Sequence, residues 1–272
     1  MVSSNAFSDL LACLETTQLG RYSLEGCAFV YKNAASCVFP GCIFVLLALS
    51  KVVALPVPRY DFLLLGCVAL QVFMVAAGLE TRDELKVVCV FHLLGLTLEL
   101  FKTHVGSWSY PEDAYSKLGT VPLYSGFMYA SVASFMTQAW RRFDLGLVAW
   151  PTPGLVVPLG AAIYLNFFTH HFTLDLRWGL VLAVFGVFAA TRVRFTPYRR
   201  AFSMPLTLTF LLIGVFVWLA ENISTYLGAW VYPHQTGGWQ VVDPSKLSSW
   251  GLLVIVSFMI VAQLKRVKTQ QD

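Results

Sequence analysis

The pattern E-x3-T-x2-G-x-W-x-Y-P occurs twice in this 272-residue chain, at residues 99–111 and 221–233, in identical register and 122 residues apart. With only eight Trp in the chain, a six-position match that includes one is the mark of an internal duplication. Each copy closes a strongly apolar stretch, which places Glu99 and Glu221 at membrane depth. An ionisable side chain there is costly to insert and points to a functional site.

The apolar stretches themselves fix the fold class. The chain is 57% hydrophobic and 12% charged with a mean hydropathy of +0.66, more apolar surface than one soluble core hides. Runs long enough for roughly 30 Å of hydrocarbon lie at about 36–55, 60–79, 85–105, 121–140, 155–172, 177–193, 205–227 and 248–264. The expectation is an all-α integral membrane protein of eight transmembrane helices, or seven if the fifth run, which carries His and Pro, does not cross. An offset of 122 residues spanning four helices gives two parallel four-helix repeats, at 36–142 and 155–266, related by an axis along the membrane normal. Residues 143–154, with Trp150-Pro-Thr-Pro-Gly154, read as a turn linker, and 267–272 as a tail.

Orientation follows from the connections. Thirteen Lys and Arg fall on one side of an eight-span chain, Arg141, Arg142, Arg199 and Arg200 among them, against six on the other. The positive-inside rule then places both termini in the cytoplasm and both motif loops on the opposite face, and suggests a bacterial inner or plasma membrane. The net charge of +4 is accounted for by these anchors, so no nucleic-acid partner is expected. Residues 1–20 carry Asp9 and Glu15 without a continuous apolar core, so no cleavable signal is expected. Phe7, Leu10, Leu11 and Leu14 recur on one helical face, which makes 1–35 a cytoplasmic amphipathic N-terminal segment. The six cysteines form no C-x2-C pair and read as packing residues.

On a helix Glu99, Thr103 and Gly106 share a face, as do Glu221, Thr225 and Gly228. Each Thr is placed to satisfy its carboxyl, and each Gly to end the helix. Trp108 and Tyr110, and likewise Trp230 and Tyr232, then sit on one side of an extended segment. The arrangement predicts one central cavity, with Glu99 and Glu221 as catalytic carboxyls below and Thr103, Trp108, Tyr110, Asn222, Thr225, Trp230 and Tyr232 as substrate-binding groups. Competing readings are an interfacial belt for the aromatics and helix-packing hydrogen bonds for the carboxyls. His92 lies one further turn pair below Glu99, with Gly95 between, and is a third catalytic candidate or a structural hydrogen-bonder. Lys102 either pairs with Glu99 or extends to the interface. His170 and His171 lack the i, i+4 spacing of a helical zinc site, and neither a metal nor a cofactor is expected. Arg192, Arg194, Tyr198, Arg199 and Arg200 suit anionic headgroups or a diphosphate, or positive-inside anchoring alone.

The segments E-L-F-K-T-x2-G-S-W-x-Y-P-E and E-N-I-x-T-x3-A-W-x-Y-P resemble the YoaT-like uncharacterised bacterial integral-membrane proteins over most of the chain. More distantly, an intramembrane Glu followed by G-x-W-x-Y is similar to the membrane-embedded carotenoid hydratases, lycopene cyclases and meroterpenoid cyclases, although Pro111-Glu112-Asp113 stands in a loop rather than in their Pro-x-Glu-Glu element. That resemblance implies acid-base chemistry on an apolar isoprenoid or carotenoid-like lipid, a polyene being protonated with Glu99 and Glu221 as the acid and its partner and with Trp108, Tyr110, Trp230 and Tyr232 facing the cation. A buried acid and aromatic walls are also what protonation of an alkene requires physically. The alternatives are a proton-coupled small-molecule transporter or channel and a non-catalytic scaffold, with the oligomeric state left open.

Overall fold

The computed structural model describes residues 16–269 and is mostly helical. The helices are α1 (Gln18–Ser36), α2 (Val38–Val52), α3 (Arg59–Ala76), α4 (Arg82–His104), α5 (Gly126–Arg142), α6 (Pro153–Thr169), α7 (Arg177–Val187), α8 (Leu206–Tyr226) and α9 (Lys246–Thr269). A helix therefore stands on each of the eight apolar runs. The amphipathic face expected around Phe7 to Leu14 lies outside the described residues. The first described helix, α1, is 19 residues long and meets α2 at a 59° bend.

Length limits what each helix can do. Three of them, α3, α8 and α9, are long and apolar enough to cross a membrane, and a fourth span results if the bent α1–α2 pair counts as one. The run at 177–193 is shorter as helix than as hydropathy: α7 stops after eleven residues, about 16 Å at the helical rise. Beyond it the chain turns into strand. The fourth run likewise starts later than expected, because residues 121–125 form a strand and a 3-10 turn before α5 begins.

Two small sheets are additions to the all-helical expectation. β1 (Lys117–Leu118) and β2 (Val121–Pro122) make a hairpin whose two-residue loop contains Gly119 at a φ of +62°, a conformation suited to Gly. β3 (Gly146–Val148), inside the expected linker, pairs antiparallel with β4 (Arg192–Phe195), which pairs with β5 (Phe202–Pro205). Helix α1 docks on this sheet. Glu25 accepts backbone N–H bonds from Tyr198, Arg199 and Arg200 at 2.8–3.0 Å, and Lys32 Nζ donates to the Thr196 carbonyl at 2.8 Å.

Local sequence explains where α4 starts. Thr81 and Glu84 form a reciprocal capping box, Glu84 N–H to Thr81 Oγ1 at 3.2 Å and Thr81 N–H to Glu84 Oε2 at 2.8 Å, which satisfies two of the helix's free donors. Along its length α4 packs on α5, and α8, which carries the second copy of the motif, packs on α9. One core is built around Ile163, Phe188, Leu206 and Met259, drawn mainly from α5 to α9. The second gathers Phe39, Leu63, Tyr60 and Tyr124 around the motif aromatics Trp108, Tyr110, Trp230 and Tyr232. Large apolar side chains such as Val72, Phe73, Leu182, Leu211 and Phe216 face outward, as lipid-facing residues do. Three of the five described cysteines, Cys27, Cys37 and Cys89, also face outward rather than packing inside.

Candidate functional site

Both motif glycines end their helices as their position requires. Gly106 and Gly228 have φ of +74° and +69°. Ser107 N–H reaches back to the Lys102 carbonyl at 2.9 Å and Gly106 N–H to Thr103 at 3.1 Å, and Ala229 and Gly228 repeat this with Ser224 and Thr225, both at 2.9 Å. Each is a Schellman ending. The chain then leaves extended, and the two exits meet: Ser109 and Val231 exchange both backbone hydrogen bonds at 2.9 Å as an isolated antiparallel bridge. These residues are themselves 122 apart, so the bridge joins equivalent positions of the two copies across a local two-fold.

Residues two apart on an extended segment share a side, so the first copy folds back on its own carboxyl. Trp108 Nε1 donates to Glu99 Oε2 at 2.7 Å, and the Tyr110 hydroxyl donates to the same oxygen at 2.8 Å. The other oxygen, Oε1, accepts from Tyr129 on α5 at 2.8 Å. Tyr129 reaches it by lying over Gly95, where any Cβ would fall 2.5 Å from the tyrosine ring. Glu99 is buried at 4% exposure, with both oxygens engaged.

Glu221 is held differently. Tyr232 donates to its Oε1, but its Oε2 is buried without a partner. The Trp250 indole faces this carboxyl, yet its Nε1 also closes no hydrogen bond. The two sites touch through their aromatics: Trp108, bonded to Glu99, packs edge-on against Tyr232, bonded to Glu221, with ring centroids 6.0 Å apart.

The expected bonds from the two Thr hydroxyls to the carboxyls are corrected. Thr103 does not satisfy Glu99; its hydroxyl donates to the Glu99 backbone carbonyl at 2.8 Å, one helical turn back. Thr225 donates to the Asn222 carbonyl and accepts from Trp239 Nε1, both at 3.2 Å. Asn222 pins the loop before α9 by accepting from Val242 N–H at 2.9 Å. Each Thr hydroxyl thus bonds a backbone carbonyl of the preceding turn, and Asn222 a backbone N–H of the following loop. The motif aromatics are not an interfacial belt, since Trp108, Tyr110, Trp230 and Tyr232 are at most 8% exposed. His92 packs its ring against Phe127, centroids 4.5 Å apart, and over Gly126.

Lys102 turns away from Glu99 and meets His171, Nζ to Nε2 at 2.9 Å. Both belong to the wall of a cavity between the end of α4, the α6–α7 turn and the start of α9. Its other charged residues are Arg177 and Lys246, beside Trp108, Tyr232 and Trp250. Asp175 borders Arg177, with Nη2 to Oδ2 at 3.0 Å. Burial raises the Asp175 carboxyl, but the Arg177 N–H, the Asn166 amide and the Arg177 charge outweigh it and hold it below the usual range.

Sequence reasoning missed Tyr129, Trp250 and this basic wall. Tyr129 has no counterpart in the second copy, where position 251 is Gly; its only trace is Gly95, one turn before Glu99. It also missed Glu80, buried in the α3–α4 turn, which accepts from Gln71 at 2.6 Å and from Ser134.

The chain is similar to the uncharacterized protein YoaT of Bacillus subtilis (strain 168), 59% identical over 243 residues that cover 89% of this chain and 92% of that one. No solved structure matches it. A model of a protein family of unknown function, DUF817, matches residues 25–258, and with that extent of agreement the chain belongs to the DUF817 family.

Proposed function

We propose that the duplicated motif forms an intramembrane acid-base site acting on an apolar, isoprenoid-like lipid, with Glu221 as the carboxyl that exchanges the proton and Glu99 as a fixed anchor. Glu221 keeps one buried oxygen without a partner, while Tyr232, bonded to its other oxygen, forms part of the cavity wall; this contrast with the fully engaged Glu99 carries the proposal. A proton passes between cavity and carboxyl through the Tyr232 hydroxyl, which can donate and accept. Trp108 and Trp250 line the same space and offer aromatic faces to a developing cation.

The architecture that goes with this reading is two parallel four-helix repeats of eight spans, termini cytoplasmic, with the cavity opening on the far face. The shorter helices α6 and α7 cross only with local thinning of the bilayer or with flanking polar groups extended. The bridge between Ser109 and Val231 supports the two-fold, because only a repeat in the same orientation brings equivalent exits together about an axis normal to the membrane.

Mass spectrometry of lipid extracts tests the reading, from isoprenoid-producing cells that express either the native chain or Glu221→Gln at matched membrane levels. The expected result is a species differing from a precursor by one water, or an isomer of it, present with the native chain and absent with the variant. The same species at equal abundance from Glu221→Gln would remove Glu221 from its role.

A further inference from the structure

We infer that the cavity at the end of α4 is a binding site for a phosphate-type oxyanion, held by Lys102, Arg177 and Lys246. These cations come from three separate elements, the last turn of α4 and the first residues of α7 and α9, and all three line one space with the imidazoles of His170 and His171. The site is independent of whether Glu221 performs chemistry.

The charge balance of the wall favours binding of an anion. Asp175 is committed to Arg177 and also accepts from the Arg177 N–H at 3.0 Å and the Asn166 amide at 3.3 Å. Among the described residues, neither Lys102 nor Lys246 takes part in an ion pair. Lys102 is 5% exposed, so its amine is not extended toward water as an interfacial lysine's would be. Its polar partner is the His171 Nε2 atom, and since an ammonium has only protons to offer, that imidazole accepts and is neutral. Lys246 stands 5.0 Å over the Tyr232 ring. The remaining carboxyls near Lys246 are Glu221, behind Tyr232, and Asp243, which accepts from Ser245 N–H at 2.8 Å. A buried cation without a counter-charge is costly, and a bound anion removes that cost.

The geometry selects an oxyanion with several acceptor oxygens. The two lysines offer point charges of the kind phosphate groups meet in proteins, and Arg177 stands beside them with its Nη2 on Asp175 at 3.0 Å and its Nη1 on Ser248 Oγ at 3.4 Å. Arg177 and Lys246 are also the first residues of α7 and α9, so the positive ends of two helix dipoles add to the same field. Next to the cations the wall is Leu98, Phe167, Trp108 and Trp250, which suits an apolar tail attached to the phosphate.

Calorimetric titration of the full chain in neutral detergent tests this with inorganic phosphate, diphosphate and dodecyl phosphate as probes. Saturable binding of at least one is expected. Tighter binding of dodecyl phosphate assigns a lipid phosphate, and equal affinities assign a soluble one; either result supports the site. Lys246→Gln and Lys102→Met should each weaken binding roughly tenfold or more, and Lys246→Arg should retain it. Lys246 is half-buried at a helix start, so its variants keep the test valid should Lys102→Met fail to fold. No saturable binding of any probe to the native chain, or unchanged affinity in Lys246→Gln, would overturn the inference. Binding is read without turnover, so that failure would leave the role of Glu221 standing.

Discussion

Glu99 and Glu221 occupy the same place in a repeated motif and have opposite surroundings. Three donors from Trp108, Tyr110 and Tyr129 hold the first, and one tyrosine holds the second. Two donors make the difference: Trp108, a motif residue that bonds Glu99, and Tyr129, which lies outside the motif and reaches Glu99 because position 95 is Gly. Gly95→Ala should therefore push Tyr129 off the helix and break its bond to Glu99, costing about 1–3 kcal/mol. Thermal unfolding in detergent reads this, and a variant as stable as the native chain would show that Tyr129 is not needed there. The carboxyls and the aromatics are legible in the sequence because they repeat. That the aromatics bond the two carboxyls, rather than Thr103 and Thr225, is not legible, since both hydroxyls take a backbone acceptor in the preceding turn.

At the scale of elements, the helices are legible because hydropathy sets them directly, and the helix ends because Gly106 and Gly228 follow the last apolar turn. The three-stranded sheet and its docking to α1 are not, because Glu25 meets Tyr198, Arg199 and Arg200 across more than 170 residues of chain and no periodicity marks so long a pairing. Hydropathy overstates α7 for a related reason: residues past Val187 are apolar enough to extend a span but form a turn at 188–190 that leads into strand β4. The helix ends also differ in what surrounds them. Around Gly106 a Cβ meets open space, whereas at Gly228 it would lie 3.3–3.4 Å from Lys51 and Arg59. Arg59 there donates to the Leu227 and Gly228 carbonyls at 2.5 and 2.8 Å and to Glu112 at 2.6 Å. Gly106→Ala should cost about 1–2 kcal/mol from the left-handed backbone alone, and Gly228→Ala more. Equal losses in parallel melts would contradict the role given to Arg59.

For the whole molecule, the repeat is legible as an offset of 122 residues and becomes physical in the Ser109–Val231 bridge. A hydrogen-bonded antiparallel pair has Cα atoms about 5.5 Å apart, within disulfide range. In a background without the native cysteines, Ser109→Cys with Val231→Cys should oxidise to an intramolecular cross-link, checked by mass spectrometry of the digested chain; linkage only between chains would refute the two-fold. The two motif copies differ in their surroundings: one is closed around its carboxyl by three donors, and the other leaves a buried carboxyl oxygen without a partner. The most direct test compares the thermal unfolding of Glu99→Gln and Glu221→Gln side by side. Glutamine presents its amide N–H to the donors around position 99, so Glu99→Gln should lose about 1–3 kcal/mol, while Glu221→Gln, with an oxygen already unpartnered, should unfold close to the native chain. The reverse order, with Glu221→Gln the destabilised variant, would contradict the assignment of Glu99 as anchor and Glu221 as the group free to act.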